Sequence, residues 1–266
     1  MYRIMVLCVL ILGGHHTLPA QSALTWSASE QARFASLPVV TVGTDATWPP
    51  MEYINERREI VGFDIDLLRE VGLRAGFQPQ FSSVPWDGIF LGLASQQYQM
   101  IASSVTLLEE RRERMLFSTP YMIAAQYLVV PRGSNANTLE DLARQQVGAQ
   151  IGTTGAQIAG DAGTVVRTYD DLGLAVEDLY RGRLAGIVAD VAIVEYYILN
   201  HPRYGNALQV VETPYAQENY AFAFALDQGP LRDAVDSALR EMIADGTVQR
   251  LKEFWFRRII PPTPQP

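Results

Sequence analysis

The chain has 266 residues, 48% hydrophobic content and a formal net charge of -8, which suits two folded lobes and excludes a basic nucleic-acid-binding surface. Its only cysteine, Cys8, and two of its three histidines, His15 and His16, fall within residues 1–23, so the remainder has no thiol and one histidine, His201. That inventory excludes a zinc centre of the usual ligands, gives a Ser-His-Asp triad only a loop histidine beside Pro202, and gives a Schiff base only Lys252, the sole lysine.

Arg3 precedes an apolar run over residues 4–12, and Ala20 and Ala23 offer cleavage sites, the pattern of a secretory signal peptide over residues 1–23. The run is too short to span a membrane. Its removal takes Arg3 and no acidic residue, moving the formal charge from -8 to -9. Cys8 comes too early to be a lipid-anchored cysteine, so the expectation is a soluble periplasmic protein. Residues 24–37 have little periodicity and are predicted to be a mobile leader.

From Pro38 onward strands and helices alternate. Strands are predicted at 39–43, 80–84, 100–105 and 127–130. Between the first two, Ile65, Leu68, Val71 and Ala75 recur at helical spacing opposite Arg69, Glu70 and Arg74, which predicts a helix over 64–75. The turn-rich break at 131–135 opens a second alternation: a short helix at 138–144, a strand at 147–151, a helix from Gly155, a strand at 165–169, a helix at 172–180 and a strand at 186–189. An apolar run at 220–226 follows, and Gly229-Pro230 opens a helix whose Leu231, Val235, Ala238, Leu239 and Met242 mark one face. The class is α/β.

Arg111 lies five residues after Thr106, and Ser103-Ser104 close the apolar run Met100-Ile101-Ala102. A guanidinium presents paired N–H donors that match the two oxygens of a carboxylate, so a strand end with hydroxyls and a nearby arginine forms a small-anion cradle. Thr106 and Glu109 also fit a helix capping box. Asp190 follows the apolar run 186–189, which puts a carboxylate at the C-terminal end of a strand, where open α/β sheets place ligand groups; it also suits the cap of a following helix.

Several blocks occur in one order along the chain. They are Val42-Gly43-Thr44-Asp45-Ala46-Thr47-Trp48-Pro49-Pro50-Met51-Glu52-Tyr53, then Ile60-Val61-Gly62-Phe63-Asp64-Ile65-Asp66-Leu67, Pro85-Trp86-Asp87-Gly88 and the Ser-rich stretch ending at Arg111. Phe117-Ser118-Thr119-Pro120-Tyr121, Gly152-Thr153-Thr154-Gly155, Ala189-Asp190 and Asp245-Gly246-Thr247 with Trp255 complete the series. In this order they resemble the family 3 periplasmic solute-binding proteins, receptors that deliver amino acids to ATP-driven importers. The resemblance implies a two-lobed periplasmic binding protein fold of type II, each lobe a mainly parallel sheet flanked by helices, with a two-strand hinge. Lobe 1 would take 38–121 plus 225–258, lobe 2 would take 126–217, the crossings would be 122–125 and 218–224, and 259–266 would be a tail.

The resemblance also assigns roles. Arg111, with Thr106 and the Thr154 N–H, would hold a ligand carboxylate. Asp190, helped by the Ser104 carbonyl and the Thr106 hydroxyl, would hold its ammonium. Asp45, Trp48 and Trp86 would line the side-chain pocket. Gln150, Ile151 and Ala189 stand where relatives carry charged or polar groups, which points to a neutral ligand, and Gln99, Met51 and Leu108 depart from the usual pattern. No cofactor or metal is implied. The expected partners are an L-amino acid and the membrane permease of an ABC importer, with no nucleic acid, and the expected state is a monomer. Enzymes of similar sequence, periplasmic cyclohexadienyl or arogenate dehydratases, carry a glutamate three residues after the lobe 2 aspartate. Here that place is Ile193, and Glu195 lies further along, so the expectation is a receptor and not an enzyme. A soluble ligand sensor for a membrane kinase is the other alternative.

Overall fold

The computed structural model describes residues 22–199, 201–211 and 215–256. Apart from Ser22 and Ala23, the signal peptide at 1–23 lies outside the described residues, as does the tail at 259–266.

The segment expected to be a mobile leader contains a helix, α1 (Ala28–Ala35), held by a capping box in which Ser27 and Glu30 satisfy each other's backbone N–H. It is also tied down. The Ser22 hydroxyl and the Ala23 N–H each donate to Asp66 at 2.6 Å, and the Trp26 indole donates to Glu70 at 2.7 Å. Asp66 is 1% exposed, so its carboxylate requires these donors together with the Trp255 indole at 3.0 Å.

The first lobe begins with β1 (Val39–Thr44), a small antiparallel sheet of β2 (Thr47–Trp48), β3 (Glu52–Ile54) and β4 (Ile60–Val61), and helix α2 (Phe63–Ala75). Phe63, Ile65, Leu67, Leu68 and Val71 are buried on α2, as the helical spacing requires. Gly62 enters the helix at φ 141, where a Cβ would lie 2.1 Å from the Met51 carbonyl oxygen, so only glycine fits. There follow β5 (Gln78–Ser83), α3 (Trp86–Ala94), β6 (Met100–Ile101), the short α4 (Glu109–Arg112) and β7 (Leu116–Phe117). The strand predicted over 100–105 ends at Ile101, because the chain then turns and Ser104 adopts a left-handed φ of 48.

The second lobe starts on β8 (Met122–Pro131), longer than the strand expected at 127–130. The helix predicted at 138–144 is a single 3-10 turn, Glu140–Leu142, because Ala143 is extended and Arg144 takes φ 66. Then come β9 (Gln146–Gln150), α5 (Thr154–Asp161), β10 (Val165–Tyr169), α6 (Leu172–Tyr180) and β11 (Gly186–Asp190). After α7 (Val191–Val194) and a π-helical turn, Glu195–Leu199, the chain passes through α8 (Pro202–Gly205), β12 (Leu208–Val210) and β13 (Ala216–Tyr220). It returns to the first sheet as β14 (Ala223–Phe224) and ends the described region with α9 (Gly229–Ala244) and α10 (Thr247–Phe256).

The strand orders are β5-β1-β6-β14-β7 and β10-β9-β11-β8-β12, with β13 also on β8. β1 runs parallel to β5 and β6, and β9 runs parallel to β10 and β11. Each sheet keeps a parallel part and adds antiparallel strands: the returning strand β14 lies antiparallel to β6 and β7, and the incoming strand β8 to β11, β12 and β13. The crossing strands β8 and β13 pair from Ala216 opposite Gln126 to Tyr220 opposite Met122. Among the described residues no helix is long and apolar enough to cross a membrane.

Candidate ligand-binding site

Four strands of the parallel segments deliver their C-terminal ends to one place. Asp45 follows β1, Ser103 and Ser104 follow β6, Gln150 ends β9 and Asp190 ends β11. This is where open α/β sheets hold ligands. These ends surround one small cavity of about 30 Å³. All eight residues singled out in the sequence, Asp45, Trp48, Trp86, Ser104, Thr106, Arg111, Thr154 and Asp190, line it.

Arg111 is fixed by its own neighbourhood. Its Nη1 donates to the Thr106 carbonyl at 3.0 Å, and its guanidinium lies over the rings of Phe90 at 4.7 Å and Trp86 at 5.8 Å. Burial pulls its pKa down, opposed by the charges of Glu110 and Glu218, and a guanidinium stays protonated in a protein. Facing the same cavity, Thr153 caps α5 by accepting the Ala156 N–H at 3.3 Å, so Thr154 opens an eight-residue helix whose first-turn N–H groups favour an anion.

Asp190 is 2% exposed and has no cation beside it in the structure's ion pairs among the described residues. Its Oδ2 accepts the Tyr220 hydroxyl at 2.6 Å and the Trp48 indole at 3.1 Å, and its Oδ1 accepts the Ile193 N–H at a long 3.5 Å. Burial raises its pKa to about 6. Asp45 is similar: Thr47 donates to one oxygen at 2.9 Å and the Gln150 amide to the other at 2.8 Å, while burial raises its pKa to about 6.

Two more carboxylates are buried here, Glu52 in the cavity wall and Asp64 behind it. Glu52 accepts from Ser103 at 2.9 Å and from Ser104 at 3.3 Å, and burial followed by the charge of Asp64 pushes its pKa well up. Asp64 accepts the Ser104 N–H at 2.8 Å and the Tyr121 hydroxyl at 2.7 Å, and burial raises it to about 7. The Ser104 N–H and hydroxyl therefore point at carboxylates, which leaves its carbonyl as the group suited to a ligand cation.

Thr106 does not cap a helix. α4 begins after Leu108 with no side-chain cap, and the Thr106 hydroxyl donates to Glu218 at 2.8 Å. Glu52, Gln126 and Tyr220 also line the cavity but were not singled out. Glu52 sits within the block Pro49-Pro50-Met51-Glu52-Tyr53, where an acid directly after the apolar Met51 was the available signal. Among the described residues no group of three or more His, Cys, Asp or Glu side chains is arranged to hold a metal ion.

The family model of the bacterial extracellular solute-binding proteins, family 3, matches residues 40–258. The chain is similar to the ABC transporter arginine-binding protein 1 of Escherichia coli (strain K12), 30% identical over 220 residues that cover 82% of this chain and 90% of that protein. It is also similar to an ancestral arginine-binding protein solved bound to arginine, with a TM-score of 0.77, 34% identity, and coverage of 82% of this chain and 98% of that one. A third likeness is to an ancestral amino acid-binding protein described as a precursor of cyclohexadienyl dehydratase, with a TM-score of 0.75, 29% identity, and coverage of 82% and 95%.

Proposed function

We propose, from the premise that the chain belongs to the bacterial extracellular solute-binding proteins of family 3, that it binds one α-amino acid between its lobes and presents it to an ABC importer. Relatives named for arginine binding support an amino-acid ligand. In this reading Arg111 and the N-terminus of α5 hold the carboxylate, and Asp190, the Ser104 carbonyl and the Thr106 hydroxyl hold the ammonium. The side chain extends past Trp48 and Trp86 toward Asp45.

The observation that carries the choice of ligand is the charge balance of the wall. Burial raises Asp45 and Asp190 to about 6, which leaves both mostly ionised at neutral pH, and pushes Glu52 well up, while Arg111 is the cationic side chain lining the cavity among the described residues. With Asp45 and Asp190 ionised against Arg111, acids outnumber the cation, an excess that an amino acid with a cationic side chain offsets. This favours arginine or a similar cation over the neutral ligand suggested by Gln150, Ile151 and Ala189. Gln150 does not make the wall apolar, since its amide is directed at Asp45.

Binding stabilises the closed arrangement by bridging groups on both lobes, with β8 and β13 as the hinge between lobe 1 at 38–121 plus 225–258 and lobe 2 at 126–217. The reading is of a monomeric periplasmic receptor exported by a cleaved signal peptide. It is not of an enzyme: Ile193, 1% exposed, occupies the place where the dehydratases resembled in sequence carry their acid. A thermal-shift panel of the protein, stripped by unfolding and refolding, tests this against single amino acids, small diacids and prephenate. A concentration-dependent rise with cationic amino acids supports the reading. No rise with any amino acid, or turnover of prephenate, contradicts it.

A further inference from the structure

Glu218 lies on the crossing strand β13, opposite Ala124 of β8, and is 7% exposed. Its Oε2 accepts the Thr106 hydroxyl of the first lobe at 2.8 Å and the Gln126 amide of β8 at 3.3 Å. The same Gln126 nitrogen reaches the Thr154 hydroxyl of the second lobe at 3.5 Å. A polar chain from Thr106 through Glu218 and Gln126 to Thr154 thus runs from one lobe to the other through both crossing strands. The backbone locks the first link, since Thr106 bridges Tyr220 and the Leu107 N–H donates to the Asn219 carbonyl at 2.9 Å.

A hydroxyl has one proton to give and two lone pairs to offer. The Thr106 proton is committed to Glu218, so Thr106 Oγ1 presents only lone pairs to the cavity that it lines. An ammonium has protons for that oxygen, and a carboxylate has none. We infer that Glu218 is a positioning residue: by accepting the Thr106 proton it makes Thr106 a partner for the ligand's ammonium and disfavours the carboxylate there, which fixes which way round the amino acid sits. The inference rests on the amino-acid reading above and corrects one part of the expected site, in which the Thr106 hydroxyl also served the carboxylate. The Thr106 carbonyl is likewise committed, holding Arg111 at 3.0 Å, so one residue orients the cation for the carboxylate and, through Glu218, the acceptor for the ammonium.

The test is a double-mutant cycle read by calorimetric titration with L-arginine, with the melting temperature of each ligand-free variant as the check on folding. Thr106→Val and Glu218→Leu are each expected to weaken binding by roughly ten- to a hundredfold, the range for a hydrogen bond to a charged group. The double variant should bind no worse than Thr106→Val alone, because Glu218 acts through the hydroxyl that is already gone. Glu218→Gln keeps a carbonyl acceptor and should stay within roughly threefold of the unsubstituted protein. If Glu218→Leu does not fold, Glu218→Asn, whose shorter amide withdraws the acceptor from Thr106, takes its place. Losses that multiply in the double variant would mean that Glu218 only braces the crossing strands, and unchanged binding in Glu218→Leu, or in Glu218→Asn where it takes its place, would overturn the inference as well. If L-arginine fails to bind the unsubstituted protein, the ligand reading falls and this inference with it; if it binds and the losses multiply, only the role of Glu218 falls.

Discussion

The Trp48 indole N–H donates to the Asp190 carboxylate at 3.1 Å and so joins the first lobe to the second across the cavity. Two further bonds make the same crossing: the Gln150 amide to Asp45 at 2.8 Å, and the Trp86 indole to the Gly152 carbonyl at 3.2 Å. Two of the three end on carboxylates assigned to the ligand. In the proposed reading, closure of the lobes and completion of the ligand's anion sites would be one event.

Trp48→Phe keeps an aromatic wall and removes one of two side-chain donors from Asp190. Affinity for L-arginine should fall by roughly three- to tenfold, as for a neutral donor lost from a charged acceptor. Small-angle scattering of the ligand-free variant should show a more open population than the unsubstituted protein. Equal affinity and equal scattering would show that the indole N–H does no more than fill space.

Arg111→Ala and Asp190→Ala each strand one end of the ligand in a buried site. Each should cost about 2 to 5 kcal/mol of binding free energy by titration, with the ligand-free fold retained by circular dichroism. Binding that survives in both variants would refute the assignment of the two anchors.

Asp45 and Asp190, raised to about 6, and Asp64, raised to about 7, set the sign of a pH effect. In the window between the ordinary aspartate value of 3.8 and these values the folded protein holds protons that the unfolded chain has released. Stability from these groups is full below that window and is lost as pH rises through it. The ligand-free protein should therefore melt higher at about pH 5 than at about pH 8. Affinity for a cationic amino acid should move the other way, rising with pH as Asp45 and Asp190 ionise. A ligand-free melting temperature that climbs with pH would contradict the burial of unpaired carboxylates around the cavity.

The hydrogen bonds of Ser22 and Ala23 make stability depend on where a processed chain would start. Beginning the chain at Leu24 removes the Ser22 hydroxyl and the Ala23 N–H from Asp66, leaving the Trp255 indole and a distant Arg69 at 3.8 Å. Such a chain should be less stable than one beginning at Gln21 by about 1 to 3 kcal/mol in denaturant unfolding. Equal stability would mean that water replaces both donors at no cost.

That Asp190 and Arg111 line one cavity was foreshadowed by the apolar run before Asp190 and the hydroxyl-rich stretch before Arg111, and α2, β10 and α6 were legible because their apolar spacing is regular over a whole element. Glu218 and Gln126 were not. Their residues sit on strands whose pattern is broken by the cavity, and Glu218 finds its partners 112 and 92 residues away in the chain. The capping box at Thr106 and Glu109 shows the reverse case. The local motif is present, but a buried acceptor brought in by the crossing strand takes the hydroxyl first. Strands as short as β2, β4 and β6, of two residues each, carry no readable periodicity at all.

The most direct test of the account is a calorimetric titration of the stripped protein with L-arginine and with L-citrulline, which has nearly the same shape and no side-chain charge. One saturable site with arginine bound at least roughly tenfold more tightly is expected, because Asp45 and Asp190 outnumber Arg111 in the wall. Equal affinity for the two would refute the cationic pocket at Asp45, and binding of neither would refute the receptor for such amino acids altogether.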